Sequence, residues 1–476
     1  TSKGSNRAIS LSSEGVGEPV IQLEFDPPGK RLAAHGYLDG QPTVWLWDLT
    51  TPRQASPLGF RRSGKGYANA NTMAFHPGGE WLVASNFVSV GFWPVNREFP
   101  RVFQPGGRVV DVKFTPDGSR LVTVTIDGPG NSPGQVRVWP LDGQNRGESE
   151  VLYELRPFGL YNARLAVDPS GEQVATSTQG GEVLVLPLSG GAERTLEGRV
   201  PRGVAPSFLA FSPDGNLLAA APFLQSEDVA ARVPREAMVI RVWDLDSGAG
   251  RALGQDIDQT TYLGFVEDRR LLWVGRHVDA DEVVEKIFDL EDGTIDVLAE
   301  GGREISRVIG RQRKSQLTWK TKGSDFQSGA EVFFTNLETG EVRQIASHGD
   351  FPYPFAMDLD PSERWLATGG YEDGLVRVGP VSGKEPHLLF GHDVHVTAVD
   401  FSPDGRWIAS SSYDKTVRLW PMPDMSRPPL HTLPHDELIA KLKTLTNLRA
   451  VRDEESPTGW KIEIGPFPGW ETVPTW

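Results

Sequence analysis

Histidines crowd one part of this chain: His387, His392 and His395, with His431 and His435 a short way on. Imidazoles at that density invite a zinc site, which needs three or four ligands converging at about 2.0–2.1 Å from the metal. The spacing does not supply one. No Glu stands at the interval a zinc hydrolase helix uses, and the chain has no cysteine, which excludes thiolate sites and disulfides alike. The acidic run Asp279, Asp281, Glu282, Glu285, Asp289, Glu291 and Asp292 raises calcium instead. Gly293 does not fall at the sixth place of an alternating loop, however, and no Glu closes it at the twelfth, so the run reads as a solvated acidic loop. Arg61-Arg62-Ser63-Gly64-Lys65-Gly66 fits a phosphate-binding loop only superficially: the first Gly is missing, and Gly66 stands where a hydroxyl would hold magnesium. Neither a Gly-x-Ser-x-Gly elbow nor a His-Glu-x-x-His pair occurs. No catalytic residue, metal ligand or cofactor is assigned, although scattered Ser, His and Asp side chains can still converge at a channel in the folded chain.

What must position these side chains is a succession of short strands. In Gly391–Trp420 the apolar residues Val394, Val396, Ala398, Val399 and Phe401 follow the period of a half-buried strand. Pro403-Asp404-Gly405 then makes a turn in which Pro presets φ and Gly supplies φ > 0. A second strand (Trp407–Ser412), a tight turn and a third strand ending in Trp420 complete the unit. The same turn recurs at Phe25–Gly29, Phe75–Gly79, Phe114–Gly118, Val167–Gly171, Phe211–Gly215, Leu359–Glu363 and Phe401–Gly405, with degenerate versions at Gly264–Asp268 and Ile309–Arg313. Third strands end alike, at Trp47-Asp48-Leu49, Trp93-Pro94, Trp139-Pro140, Trp243-Asp244-Leu245, Phe288-Asp289-Leu290 and Trp420-Pro421. Nine units over residues 20–434 give a period of about 46 residues.

The Gly391-His392 start and the Trp420 third strand resemble one repeat of the WD-repeat β-propeller family, with Pro421 in place of the usual Asp. That resemblance implies an all-β fold, a single closed propeller. Nine blades are favoured and eight, with one irregular unit, are the alternative, because rings above eight are uncommon. It also implies that His392, Ser410, Asp414 and Trp420 form a structural hydrogen-bonded tetrad and not a catalytic triad. Ring closure is expected to use either Arg7–Leu11, within the N-terminal segment 1–19, or Leu430–Leu433.

Residues 435–476 break the period. His435–Val451 carries Leu438, Ile439, Leu442, Leu445 and Leu448 at helical spacing, and Trp460–Ile464 alternates as a strand. Trp460, Phe467, Trp470 and Trp476 make the tail aromatic, three of the chain's 14 Trp falling in its last 17 residues. Aromatics of that density are expected to dock on the propeller or to bind a partner. The tail's Pro-Thr-Gly-Trp and Gly-Pro-Phe-Pro-Gly-Trp-Glu also resemble the C-terminal segments of bacterial WD-repeat proteins, some of them fused to serine/threonine kinases; this chain has no kinase motif. The start at Thr1, without Met, is expected of a processed or truncated product.

Charge narrows the function. Lys+Arg 48 against Asp+Glu 63 gives a net charge of −15, which argues against a nucleic-acid binder. No apolar run is long enough to span a membrane as a helix. The expectation is a non-catalytic protein-interaction scaffold or sensor platform with protein partners. A propeller hydrolase or lyase with its site at the central channel is the alternative, as is a subunit of a larger bacterial assembly held through its tail. Compartment is left open between cytoplasm and periplasm.

Overall fold

The computed structural model of the chain describes residues 22–38, 41–49, 56–59, 70–75, 81–86, 90–94, 101–128, 133–141, 149–155, 163–178, 181–196, 205–223, 238–254, 257–277, 283–300, 304–310, 312, 314–321, 330–345, 354–370, 373–443, 448–452 and 460–464. Within them the chain is almost wholly antiparallel sheet. Six four-stranded sheets, one eight-stranded sheet built from two modules, and one three-stranded sheet make nine modules. In chain order their first strands are Gln22–Phe25, Ala70–Phe75, Val109–Phe114, Leu165–Val167, Ala205–Phe211, Ile257–Glu267, Glu304–Ile309, Pro354–Leu359 and Val396–Phe401.

Six of the hairpins between first and second strands are set by one local rule. The residue after the turn's aromatic or aliphatic position carries a hydroxyl or carboxylate, and this accepts the backbone N–H five residues on. Ser402 Oγ accepts Trp407 N–H at 2.9 Å, Ser212 Oγ accepts Leu217 N–H at 2.9 Å, and Asp360 Oδ1 accepts Trp365 N–H at 2.7 Å. Such side-chain closure is the reason Ser, Thr and Asp occupy this place. Gly405 has φ +69° at the turn's last position, where an L side chain is disfavoured. Glu363 occupies the equivalent position with φ +57°, and its buried carboxylate is held by Gln312 N–H at 2.5 Å and the Ser315 hydroxyl at 2.6 Å. Those two bonds to the preceding module offset a backbone conformation that costs a non-Gly residue about 1–2 kcal/mol.

The nine modules fall into two compact units. Residues 103–425 form one; residues 1–102 with 426–476 form the other. In the larger unit, the first strands of modules three to nine neighbour one another in sequence order, and Val396–Phe401 of the ninth neighbours Val109–Phe114 of the third. One apolar cluster joins these two ends: Val112, Leu121 and Trp139 pack with Ala398, Val417 and Leu419. Each aliphatic side chain buried there contributes about 1.5–3 kcal/mol. The ninth module's fourth strand is Arg101–Phe103, so the short strand that follows the second module in the chain completes the ninth instead.

The even spacing led to a single ring of nine over residues 20–434, with eight as the alternative; of the nine modules, seven fall in one compact unit and two in the other. Leu430–Leu433 is not the strand that completes the ninth module, since Leu430–Thr432 is a 3-10 turn; Arg7–Leu11 lies outside the described residues. The helix begins at His435 as its acidic first turn requires, but ends at Lys443. Beyond it Thr444, Thr446 and Asn447 are weak helix formers. Leu448–Arg452 then pairs antiparallel with Trp460–Ile464, and residues 426–476 group with 1–102 and not with the larger unit.

Candidate functional site

The ninth module brings the four expected side chains together. Trp420 Nε1–H donates to Ser410 Oγ at 2.8 Å, and Ser410 Oγ lies 2.7 Å from His392 Nε2. Because that hydroxyl already accepts from Trp420, its proton points to Nε2, and the imidazole proton sits on Nδ1. Nδ1–H donates to Asp414 Oδ2 at 2.8 Å. Asp414 also accepts from Asp393 N–H at 3.1 Å, Thr416 N–H at 2.8 Å and the Thr416 hydroxyl at 2.6 Å. Burial opposes its ionisation, but His392 and the ring of donors outweigh this and hold its pKa below the ordinary carboxylate value. Burial lowers the pKa of His392, more than its carboxylate partner raises it, and keeps the ring neutral.

Ser410, His392 and Asp414 have the order of a hydrolase triad, yet the arrangement is unsuited to attack. Ser410 is fully buried, His392 is 3% exposed, and the indole of Trp420 sits on the oxygen that would be the nucleophile. A triad needs that oxygen beside a substrate carbonyl and an oxyanion site. Here each polar atom is spent on its neighbour.

The other histidines do not join them. His387 lies in the eighth module's fourth strand, His395 packs edge-on against Tyr413, His431 sits in the 3-10 turn and His435 opens the helix. Among the described residues no group of three or more His, Asp or Glu is placed to hold a metal ion. In the acidic segment, Asp289 and Asp292 cap their own turn: Asp292 Oδ1 accepts both the N–H and the hydroxyl of Thr294. Asp279, Asp281, Glu282 and Arg61–Gly66 lie outside the described residues, as do Phe467, Trp470 and Trp476. Trp460 begins the strand that pairs with Leu448–Arg452.

A second cluster has no counterpart among the sequence candidates. Lys113 Nζ lies 3.1 Å from Asp400 Oδ1, and Asp111 and Asp358 are near enough to act on it. Burial would lower the pKa of Lys113; the three carboxylates overcome that and raise it above the ordinary lysine value. The carboxylates have a further task. Asp400 Oδ2 accepts Phe114 N–H at 2.8 Å, and Asp358 Oδ2 accepts Phe401 N–H at 2.8 Å. In the smaller unit Glu24 Oε1 accepts Phe75 N–H at 3.2 Å. In all three the acid stands just before its own turn residue and binds the turn residue's amide in the neighbouring module. A second staple sits two residues earlier: Asp111 Oδ2 accepts Leu165 N–H at 2.9 Å, and Gln22 Oε1 accepts Met73 N–H at 3.0 Å. The signal was readable, since acid precedes the turn residue in Glu24-Phe25, Asp358-Leu359 and Asp400-Phe401.

Residues 383–421, which contain the whole Trp420–Ser410–His392–Asp414 chain, match the family model for the WD domain, G-beta repeat. That segment is a WD repeat. No curated protein matches the chain. Among solved structures it is similar to a chain in the crystal structure of the mitotic checkpoint complex, with 15% identity, a TM-score of 0.49, and coverage of 68% of this chain and 95% of that one.

Proposed function

We propose that this WD-repeat protein is a non-catalytic platform for protein partners, built on a closed seven-bladed propeller spanning residues 103–425. The observation that carries the proposal is the bond from Phe114 N–H to Asp400. It joins residues 286 positions apart with the contact that Asp358 and Phe401 make between consecutive modules. A contact repeated from neighbour to neighbour and then from last to first is what a ring requires, and a ring has no open inner edges. Arg101–Phe103 supplies the last blade's outer strand, so the two ends of the unit are held in one sheet.

Recognition, not chemistry, suits the distribution of ionisable groups. An enzyme at the channel would need a group poised to exchange protons near neutral pH. Lys113 is instead held protonated by three acids, and Asp111, Asp358 and Asp400 are occupied as staples. With a net charge of −15, the protein should favour basic partners through a salt-sensitive attraction. The test is to immobilise the full chain, identify a partner from the source cell by mass spectrometry, and titrate the purified partner across ionic strength. Stoichiometric binding that weakens with salt is expected. A turnover activity abolished by Lys113→Met would overturn the reading in favour of the hydrolase or lyase.

A further inference from the structure

At two junctions between consecutive blades of the larger unit, an arginine on the outer strand of one reaches the turn of the next. Arg194 donates to Leu245 O, and Arg251 Nη2 donates to Leu290 O at 2.6 Å. Both arginines hold the same register, opposite the residue before the third strand's Trp position: Val185 pairs Arg194, and Val242 pairs Arg251. In the sixth module that register belongs to Asp296, opposite Ile287. Asp296 leans back on Arg270 of its own module at 3.5 Å, so a carboxylate holds the register from which the two arginines cross.

The consequence is visible in exposure. Leu290, under Arg251, is 5% exposed, whereas Leu337 at the equivalent place in the seventh module is 44% exposed and Val342 in the same turn region 63%. On the sixth module's outer strand, the strand that carries Arg194 and Arg251 in the two modules before it, Ile295, Val297 and Leu298 are 52%, 50% and 54% exposed. A bulge between the pairs Glu285–Ala299 and Lys286–Val297 breaks strict alternation, so Val297 and Leu298 both reach solvent. Ile295–Glu300 is also the last strand of its sheet, with no strand on its outer edge among the described residues. Exposed aliphatics gathered like this mark interaction sites. The two turns carry five carboxylates, Glu291, Asp292, Asp296, Glu338 and Glu341, of which the last three pair with Arg270, Lys314 and Arg343.

We propose that the outer rim between the sixth and seventh modules binds an extended segment of a partner protein in which arginine alternates with aliphatic residues. The partner's arginine takes the role Arg194 and Arg251 play elsewhere, meeting Asp296 and the Leu337 carbonyl, while its aliphatic neighbours cover Ile295, Val297 and Leu337. A second copy of this acidic chain is disfavoured at such a rim by like charge.

This inference rests on the platform reading and narrows it to one surface. The probe is a fluorescein-labelled peptide, Val-Arg-Leu-Arg-Val flanked by glycines, titrated into the full chain and followed by anisotropy. Saturable binding is expected, weakened at least about tenfold by Asp296→Arg, which supplies a crossing arginine in cis, by Leu337→Ser, and by replacing the peptide's arginines with glutamate. No saturable binding, equal binding by both peptides, or binding untouched by both variants would overturn the site. So would sedimentation showing that this rim pairs two copies, a dimer lost in Asp296→Arg. Failure of the peptide while a purified partner still binds the full chain removes the rim site alone; the absence of any salt-sensitive partner removes the platform as well.

Discussion

The ninth and fourth modules use one sheet plan with different interiors. In the ninth, Ser410 receives the Trp420 indole and passes a hydrogen bond to His392 and on to Asp414. In the fourth, Thr176 occupies the place of Ser410, but Leu186 stands where Trp420 would be, and Thr176 Oγ1 is buried with no hydrogen-bond partner. The third module is intermediate: Trp139 Nε1 donates to Thr123 Oγ1 at 2.9 Å, with no histidine beyond. Val183, Leu184, Val185 and Leu186 bury as completely as the ninth module's third strand. Apolar packing therefore suffices to make a blade. What the polar chain adds is a fixed position for the loop at His392 and Asp393 relative to the hairpin at Asp414.

Breaking that chain at its charged end should show the largest effect. Asp414→Ala strands a buried imidazole N–H and several backbone and hydroxyl donors, and is expected to cost about 3–5 kcal/mol in urea unfolding. Next comes the ring staple: Asp400→Ala removes the carboxylate that binds both the Lys113 ammonium and the Phe114 amide and should cost about 2–3 kcal/mol, more than Asp358→Ala, which removes the acceptor of the Phe401 amide. If the two variants cost the same, the closing contact is no different from an ordinary one. Ser410→Ala, which removes the hydroxyl between Trp420 and His392, should cost about 1–2 kcal/mol. Smallest is Thr176→Val, an isosteric removal of an orphaned hydroxyl, expected within about 0.5 kcal/mol of neutral or stabilising. A loss above 1 kcal/mol would show that the fourth module's polar slot is in use after all.

Acid sharpens the same contrast. A histidine whose folded pKa lies below its ordinary 6.5 binds fewer protons folded than unfolded, so stability is full above pH 6.5 and falls as pH drops below it. Asp414, depressed from 3.8, adds a further loss as pH falls through that value. Lys113 acts at the other end: with its pKa raised, its contribution is complete below 10.5 and fades as pH rises beyond. Unfolding measured from pH 7 to 5 should lose less stability in His392→Gln than in the natural chain. An identical slope would remove His392 as the source.

Much of this was legible along the chain. The turns at Phe114–Gly118 and Phe401–Gly405 announce themselves because their geometry is closed by residues within five positions, and the alternation of Val136, Val138 and Trp139 follows from a strand's own period. His392, Ser410, Asp414 and Trp420 lie within 29 residues, so their meeting is a matter of one hairpin's register. The helix start at His435 was equally local, while its early end at Lys443 reflects the competing pairing of Leu448–Arg452 with Trp460–Ile464.

The sequence by itself determined the module: its turns, its strand order and its buried alternation, all set by interactions a few residues long. Tertiary structure alone decided how many modules belong together, that Arg101–Phe103 finishes a sheet begun nearly 300 positions later, and that Asp296 holds the register from which Arg194 and Arg251 cross. Those outcomes turn on single contacts between residues tens to hundreds of positions apart. A three-residue strand or one reversed charge carries no periodic trace, and only the neighbour it meets in space gives it meaning.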